Sequence, residues 1–96
     1  MTSFREIIRS ADNVLIDFHA EWCGPCKTLA PILKNLKSKR GEDLKLIKID
    51  IDKNPRLAQT LYVQSVPTLI FYKSGKLRWR RSGVLPLSEL ERALDH

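Results

Sequence analysis

The sequence predicts an α/β protein with three layers, α/β/α, around a four-stranded mixed sheet, its elements running αβαβαββα. Three observations carry that reading. Segments with apolar residues at helical spacing alternate with short runs rich in Val, Ile and Leu, as in βαβ units. The run Val14-Leu15-Ile16-Asp17-Phe18 is apolar at nearly every position, which suits a central strand covered on both faces. Near the C-terminus Ser74-Gly75 separates two strand-like runs, and the hairpin it signals makes the sheet mixed.

The elements follow in order. Phe4, Ile7, Ile8 and Ala11 recur at i, i+3, i+4 and i+7, and Ser3 with Glu6 has capping-box spacing, so a short first helix opens the chain. After the Val14–Phe18 strand, Leu29, Ile32, Leu33 and Leu36 keep helical spacing from Gly24 to about Lys39, with Pro31 as an interior kink. Basic residues gather at the far end of this helix, where cations suit the dipole. Leu44 to Ile51 reads as a strand, parallel to the first and reached by a right-handed crossover. Asn54-Pro55 looks like an N-cap with proline at the first helical position, opening a short helix through Leu57, Ala58 and Leu61. Thr68–Tyr72 and Lys76–Ser82 form the hairpin. A last helix carries Leu87, Leu90 and Leu94 on one face, begun by Pro86 or by Ser88 with Glu91.

With 96 residues the chain has room for one domain over residues 1–96 and one core. Its composition, 43% hydrophobic and 29% charged, is that of a globular protein and excludes a disordered one. Apolar runs are far too short for a membrane span, and no basic n-region precedes an apolar stretch near the start. The expectation is a soluble, unexported, cytoplasmic protein. Lys and Arg number 17 against 11 Asp and Glu, a formal +6, which could attract acidic partners, nucleic acid or a membrane surface. The basic residues are nevertheless scattered, and the densest group, Lys76, Arg78, Arg80 and Arg81, matches no nucleic-acid motif. They read as a solvated surface, with neither nucleic acid nor membrane as partner. Nothing requires more than a monomer.

The only two cysteines lie in Trp22-Cys23-Gly24-Pro25-Cys26, at the junction of the first strand and the second helix. Free N–H groups and the positive dipole end favour an anion there, and a thiolate is one. Cys23 stands at the helix start and Cys26 one turn deeper, so the first sulfur is expected to be more exposed and more acidic. Gly24 permits close approach of another backbone, and Pro25 stiffens the turn. Two blander readings compete with redox chemistry. A zinc site needs about four ligands, and only His19 and distant His96 could join the pair. A purely structural disulfide would close too short a loop to restrict the unfolded chain much.

Asp17 adds to the case, because a carboxylate within an apolar strand is costly unless paired or protonated. Lys48, amid the apolar residues of the next strand, is one candidate partner; a protonated Asp17 is the other possibility. A group poised in this way can accept and return a proton for the deeper thiol, Cys26. A buried salt bridge kept for structural reasons is the alternative.

The runs DFHAEWCGPCKTLAPIL, KIDIDKNP, VPTLIFYKSGK and SGVLPLSEL closely resemble the thioredoxin family over nearly the whole chain. That family is itself the standard example of a Cys-x-x-Cys thiol with lowered pKa. The resemblance implies a thioredoxin-like fold, with Cys23 as attacking thiolate and Cys26 as resolving thiol. It implies that Asp17 assists Cys26, that Lys48 is associated with Asp17, and that Pro67 after Val66 is a cis-proline facing the cysteines. Trp22, Gly24, Pro25, Val66, Pro67, Gly83 and Val84 match the family's shallow rim where substrates dock. It further implies reduction of client-protein disulfides through a reversible Cys23–Cys26 bond, with no bound cofactor or metal. A flavin-containing, NADPH-dependent thioredoxin reductase would supply the electrons.

Three departures stand out. The chain starts almost at its first helix, so the family's leading strand is expected to be missing, leaving one more sheet edge exposed. His19 stands where the family commonly has an aromatic residue: either the rim tolerates it, or protonated His19 lowers the pKa of Cys23 and makes the couple more oxidising. The basic balance contrasts with many acidic relatives and would favour acidic clients. Two other functions use the same fold, a more oxidising oxidase or isomerase and a non-catalytic binding subunit. Redox potential separates out the first; turnover with a reductase separates out the second.

Overall fold

The computed structural model describes residues 3–95. Its elements are α1 (Phe4–Ile8), β1 (Asn13–His19), α2 (Gly24–Arg40), a 3-10 turn (Gly41–Asp43), β2 (Lys45–Asp50), α3 (Pro55–Thr60), β3 (Thr68–Lys73), β4 (Lys76–Ser82) and α4 (Leu87–Leu94). The sheet runs β2-β1-β3-β4, with β1 parallel to β2 and the other two pairings antiparallel. This is the expected four-stranded mixed sheet, with β2 and β4 at its edges.

The near-continuous apolar run of β1 has its reason in the two layers that cover it. Leu15 points into one core with Leu29, Leu33 and Leu36 of α2, Leu69 and Phe71 of β3, and Leu90 and Leu94 of α4. Val14, Ile16 and Phe18 point the other way, into a core with Ile49, Ala58, Val63, Ile70 and Tyr72, against which Phe4, Ile7 and Ile8 of α1 pack. Alternation along the strand therefore sends Asp17 to the side of Leu15, under α2. Each fully buried Leu or Phe contributes on the order of 1.5–3 kcal/mol to holding these layers together.

Local chemistry explains most boundaries, and it corrects some. Ser3 Oγ accepts from the Glu6 N–H at 3.2 Å and caps α1. The helix ends at Ile8; Ala11 still packs on the core, but from the bend that follows. Leu44 and Ile51 fall outside β2: Leu44 closes the 3-10 turn, while the Ile51 N–H extends the ladder by one bond to the His19 carbonyl at 2.9 Å. Asn54 occupies the N-cap position of α3 without capping it, because its side-chain amide donates instead to the Asp50 carbonyl at 3.0 Å. Pro55 then starts the helix as expected. Of the two starts considered for α4, the chain uses Pro86, whose carbonyl accepts from Leu90 N–H at 3.0 Å, and Ser88 lies inside the helix. Ser74 and Gly75 both have positive φ, 52° and 78°, the two-residue turn that matches strand twist. Ser74 tolerates that conformation because its N–H and hydroxyl both bond to Asp12.

Two contacts lead the chain toward the site. Arg80 of β4 donates to the carbonyls of Leu61 and Tyr62, closing α3 where Tyr62 takes a left-handed φ of 56°. The segment from Val63 to Pro67 leaves from there. On the other face, Trp79 Nε1 donates to the Ala93 carbonyl at 3.0 Å and ties β4 to α4.

Candidate active site

Cys23 is the N-cap of α2, with extended φ and ψ of −89° and 111°. Its sulfur accepts the Cys26 N–H at 3.0 Å, one of the donors a helix start leaves unpaired. Pro25, at the opening of the helix, has no N–H and its φ is already helical. The two cysteines form a disulfide across a Cα–Cα distance of 5.3 Å. When that bond is reduced, the same N–H and the helix dipole lie where negative charge on the Cys23 sulfur is stabilised, by roughly 0.3–2 kcal/mol.

The sulfur of Cys23 is roofed by the next segment. It lies 3.6 Å from the Val66 carbonyl oxygen, and the Val66–Pro67 peptide is cis. Pro67 in turn accepts from Gly83 N–H at 2.9 Å, which draws the end of β4 to the same corner. Gly83 has a φ of 96°, where a side chain would strain the backbone. Val84 follows it with its side chain exposed. Trp22 is 69% exposed, yet its indole N–H donates to Asp52 Oδ2 at 2.7 Å, so the ring is held in place on the surface. Gly24 and Pro25 are also exposed. Of the residues expected at the rim, Trp22, Gly24 and Pro25 adjoin the cysteines in the chain, Val66 lies against Cys23, and Pro67 and Gly83 are tied to that segment, with Val84 next along the chain.

The expected greater exposure of Cys23 is not seen, because both cysteines are buried. In the oxidised protein Cys23 is 3% exposed and Cys26 8%. The reason is tertiary: the Val66 segment and Ile51 pack over the pair, whereas Cys26 opens sideways onto a hollow lined by Asp17, His19, Ala20, Glu21, Lys27, Ala30 and Lys48.

Asp17 is 4% exposed, and its Oδ1 has no hydrogen-bond partner among the described residues. Burial pushes its pKa up from the ordinary carboxylate value, against weaker opposing attraction from His19 and then Lys48. The pairing considered for Lys48 does not form. Lys48 stands in register with Asp17 on β2, but no ion pair joins them, because an edge-strand lysine can extend its ammonium into water. The protonated form of Asp17 is the arrangement that burial favours.

His19 shares the hollow with Asp17 and Cys26. Among the described residues no three His, Cys, Asp or Glu side chains come together as metal ligands; His96, the other histidine considered for zinc, lies outside them. No helix among these residues is long and apolar enough to cross a membrane. Sequence reasoning missed Asp52 as the anchor of Trp22. The two are thirty positions apart, and no spacing rule links them.

The comparisons with known proteins agree with this geometry. The thioredoxin family model matches residues 1–96. The thioredoxin of Acidithiobacillus ferridurans is 39% identical over 90 residues, covering 94% of this chain and 83% of that protein. Chloroplastic thioredoxin Y2 of Arabidopsis thaliana is 37% identical over 95 residues, covering 98% of this chain but only 57% of that one. Among solved structures, the oxidised form of mitochondrial thioredoxin 3 from Saccharomyces cerevisiae gives a TM-score of 0.86 at 35% identity, covering 96% of this chain and 85% of that chain. The chain therefore belongs to the thioredoxin family, and its Cys23–Cys26 pair makes it a thiol–disulfide oxidoreductase with protein-disulfide reductase activity.

Proposed function

We propose that the protein reduces client disulfides in two steps with unlike sulfurs, Cys23 attacking and Cys26 resolving. The observation that carries this reading is their asymmetry. The Cys23 sulfur caps a helix and accepts an N–H, whereas Cys26 opens onto a hollow shared with a buried carboxyl group. The Cys23 thiolate attacks one sulfur of the client disulfide, expels the other as thiolate, and leaves a mixed disulfide. Asp17, in its ionised form, then takes the proton from the Cys26 thiol. The Cys26 sulfur bonds to Cys23, and the client's remaining sulfur leaves with the electron pair. The client gains two electrons and the Cys23–Cys26 disulfide is restored.

Lys48 acts through space, making Asp17 less costly to ionise while staying solvated. The rim of Trp22, Gly24, Pro25, Val66, Pro67, Gly83 and Val84 receives the client, its exposed Trp22 offering an apolar face and its backbone offering pairing groups. The domain carries no cofactor of its own. Thioredoxin reductase, using flavin and NADPH, recharges it, and disulfide-containing proteins are its clients. It works as a monomer. The cytoplasm is the proposed compartment, since a dithiol donor needs reducing surroundings, although relatives include chloroplastic and mitochondrial proteins.

One assay tests the reading: insulin reduction driven by NADPH and thioredoxin reductase, alongside equilibration of the dithiol against a glutathione series. Catalytic turnover and a potential in the reducing range are expected. A couple as oxidising as a dedicated disulfide-forming enzyme would overturn the direction of electron flow.

A further inference from the structure

The hollow beside Cys26 gathers more ionisable groups than an exchange between sulfurs needs. Asp17 is its most buried ionisable member, with an unpaired oxygen. Two residues on, along the same side of β1, His19 is half-buried and lines the same hollow. Charged groups face it from each neighbouring element: Lys48 from β2, Glu21 from the loop after β1, Lys27 from α2. Asp50, in register with His19, is occupied elsewhere, its Oδ1 accepting the N–H of Asp52 at 2.8 Å and of Lys53 at 3.4 Å. Of the side-chain types assembled here, imidazole alone ordinarily exchanges a proton near neutral pH.

Asp17 has a problem that its burial creates. It can take a proton from Cys26 across the hollow, but it has almost no surface from which to pass that proton to water before the next turnover. Reduction of the disulfide reverses the demand, because Asp17 must then be resupplied as it returns a proton to the Cys26 sulfur. A half-buried proton carrier between the carboxyl and solvent meets both needs.

We propose that His19 is that carrier, moving the proton between Asp17 and bulk water in each half of the cycle. The proposal rests on the reading of Asp17 as the base for Cys26. Proton balance is complete: the Cys26 proton passes to Asp17, then to the imidazole on one nitrogen while the other releases a proton to solvent, and the departing client thiolate is protonated from water. No sulfur is oxidised or reduced beyond the exchange already described. His19 acts through Asp17, so it is a positioning and relay residue, and its place on the Cys26 side distinguishes this role from tuning of the Cys23 sulfur.

The test measures reduction of a protein disulfide by the parent, His19→Gln and His19→Gly across roughly pH 5 to 9. Both variants should be slower by about tenfold near neutrality, with pH profiles that differ in shape from the parent's. Free imidazole should restore His19→Gly toward the parent rate, whereas an equal concentration of sodium chloride should not. Rescue would also show that the variant is folded. Variants whose pH profiles superimpose on the parent's, or a slow His19→Gly that imidazole does not accelerate, overturn the proposal. A competent parent with unaffected His19 variants sinks the relay alone. If Asp17→Asn instead matches the parent at every pH, the reading of Asp17 fails and the relay falls with it.

Discussion

Lys37, Lys39 and Arg40 crowd the C-terminal end of α2, whereas its first turn has no acidic side chain and is capped by the sulfur of Cys23. At the C-terminal end Lys37 donates to the carbonyls of Gly41, at 2.6 Å, and Leu44, and Arg40 donates to Asp95 at 3.0 Å and to the Glu91 carbonyl at 3.1 Å. Those cations are met by carbonyl oxygens and by the Asp95 carboxylate, and they do no chemistry. At the N-terminal end a carboxylate cap would have been the ordinary stabiliser. A sulfur stands there instead, so the electrostatic advantage of the helix start is reserved for an atom whose charge changes during the reaction. The same helix is thus optimised for stability at one end and for reactivity at the other.

Removing the sulfurs should have the largest effect. Cys23→Ser should abolish client reduction, while Cys26→Ser should still attack and accumulate a stable mixed disulfide, visible by mass spectrometry of the unreduced protein. If Cys26→Ser trapped no client and Cys23→Ser did, the two ends of the dithiol would have to exchange roles.

Asp17→Asn comes next. Resolution should slow by on the order of 10²-fold, the usual size of a lost proton acceptor. Its effect on stability should have the opposite sign. Because burial raises the pKa of Asp17, the protonated group favours the folded state in acid, and that contribution disappears as pH rises through the folded-state value. Urea midpoints of the oxidised proteins should therefore be similar in acid and separate as pH rises, Asp17→Asn becoming the more stable by roughly 1–3 kcal/mol. A gap independent of pH would mean that Asp17 does not titrate on unfolding.

A smaller effect is expected at the rim. Asp52→Asn weakens the bond that holds the Trp22 indole, an exposed contact contributing about 1 kcal/mol or less. KM for protein clients should rise a few-fold with little change in kcat, and Trp22 fluorescence should become more readily quenched. An unaltered KM would remove Trp22 orientation from client docking. Least of all, Lys37→Met at the quiet end of α2 should cost about 1 kcal/mol of stability and leave the reduction rate untouched. A change in rate there would break the division between the two helix ends.

Legibility in the sequence followed the range of the interactions. α2, β1 and the Ser74-Gly75 turn could be read because helical spacing, double-sided apolarity and positive-φ preference act within a few residues. The start of α4 stayed open between Pro86 and Ser88, and the cap expected of Asn54 on α3 did not form, because the Asn54 side-chain amide is engaged with the Asp50 carbonyl. For the site, Cys23, Cys26 and Asp17 were singled out by their chemistry in an unsuitable or unusual place, but the extent to which Cys23 is buried was not foreseen. That quantity depends on the Val66 segment, which arrives from more than forty positions away.

From the residues themselves came the alternation of helices and strands, the sulfur pair at a helix start and the costly carboxylate behind it, since each is a matter of local spacing and transfer free energy. Tertiary structure alone decided that Val66 would roof Cys23, that Lys48 would reach water rather than Asp17, and that Asp52 would hold Trp22. These outcomes depend on which side chains meet once the sheet has assembled, and long-range packing sets such distances where sequence spacing cannot.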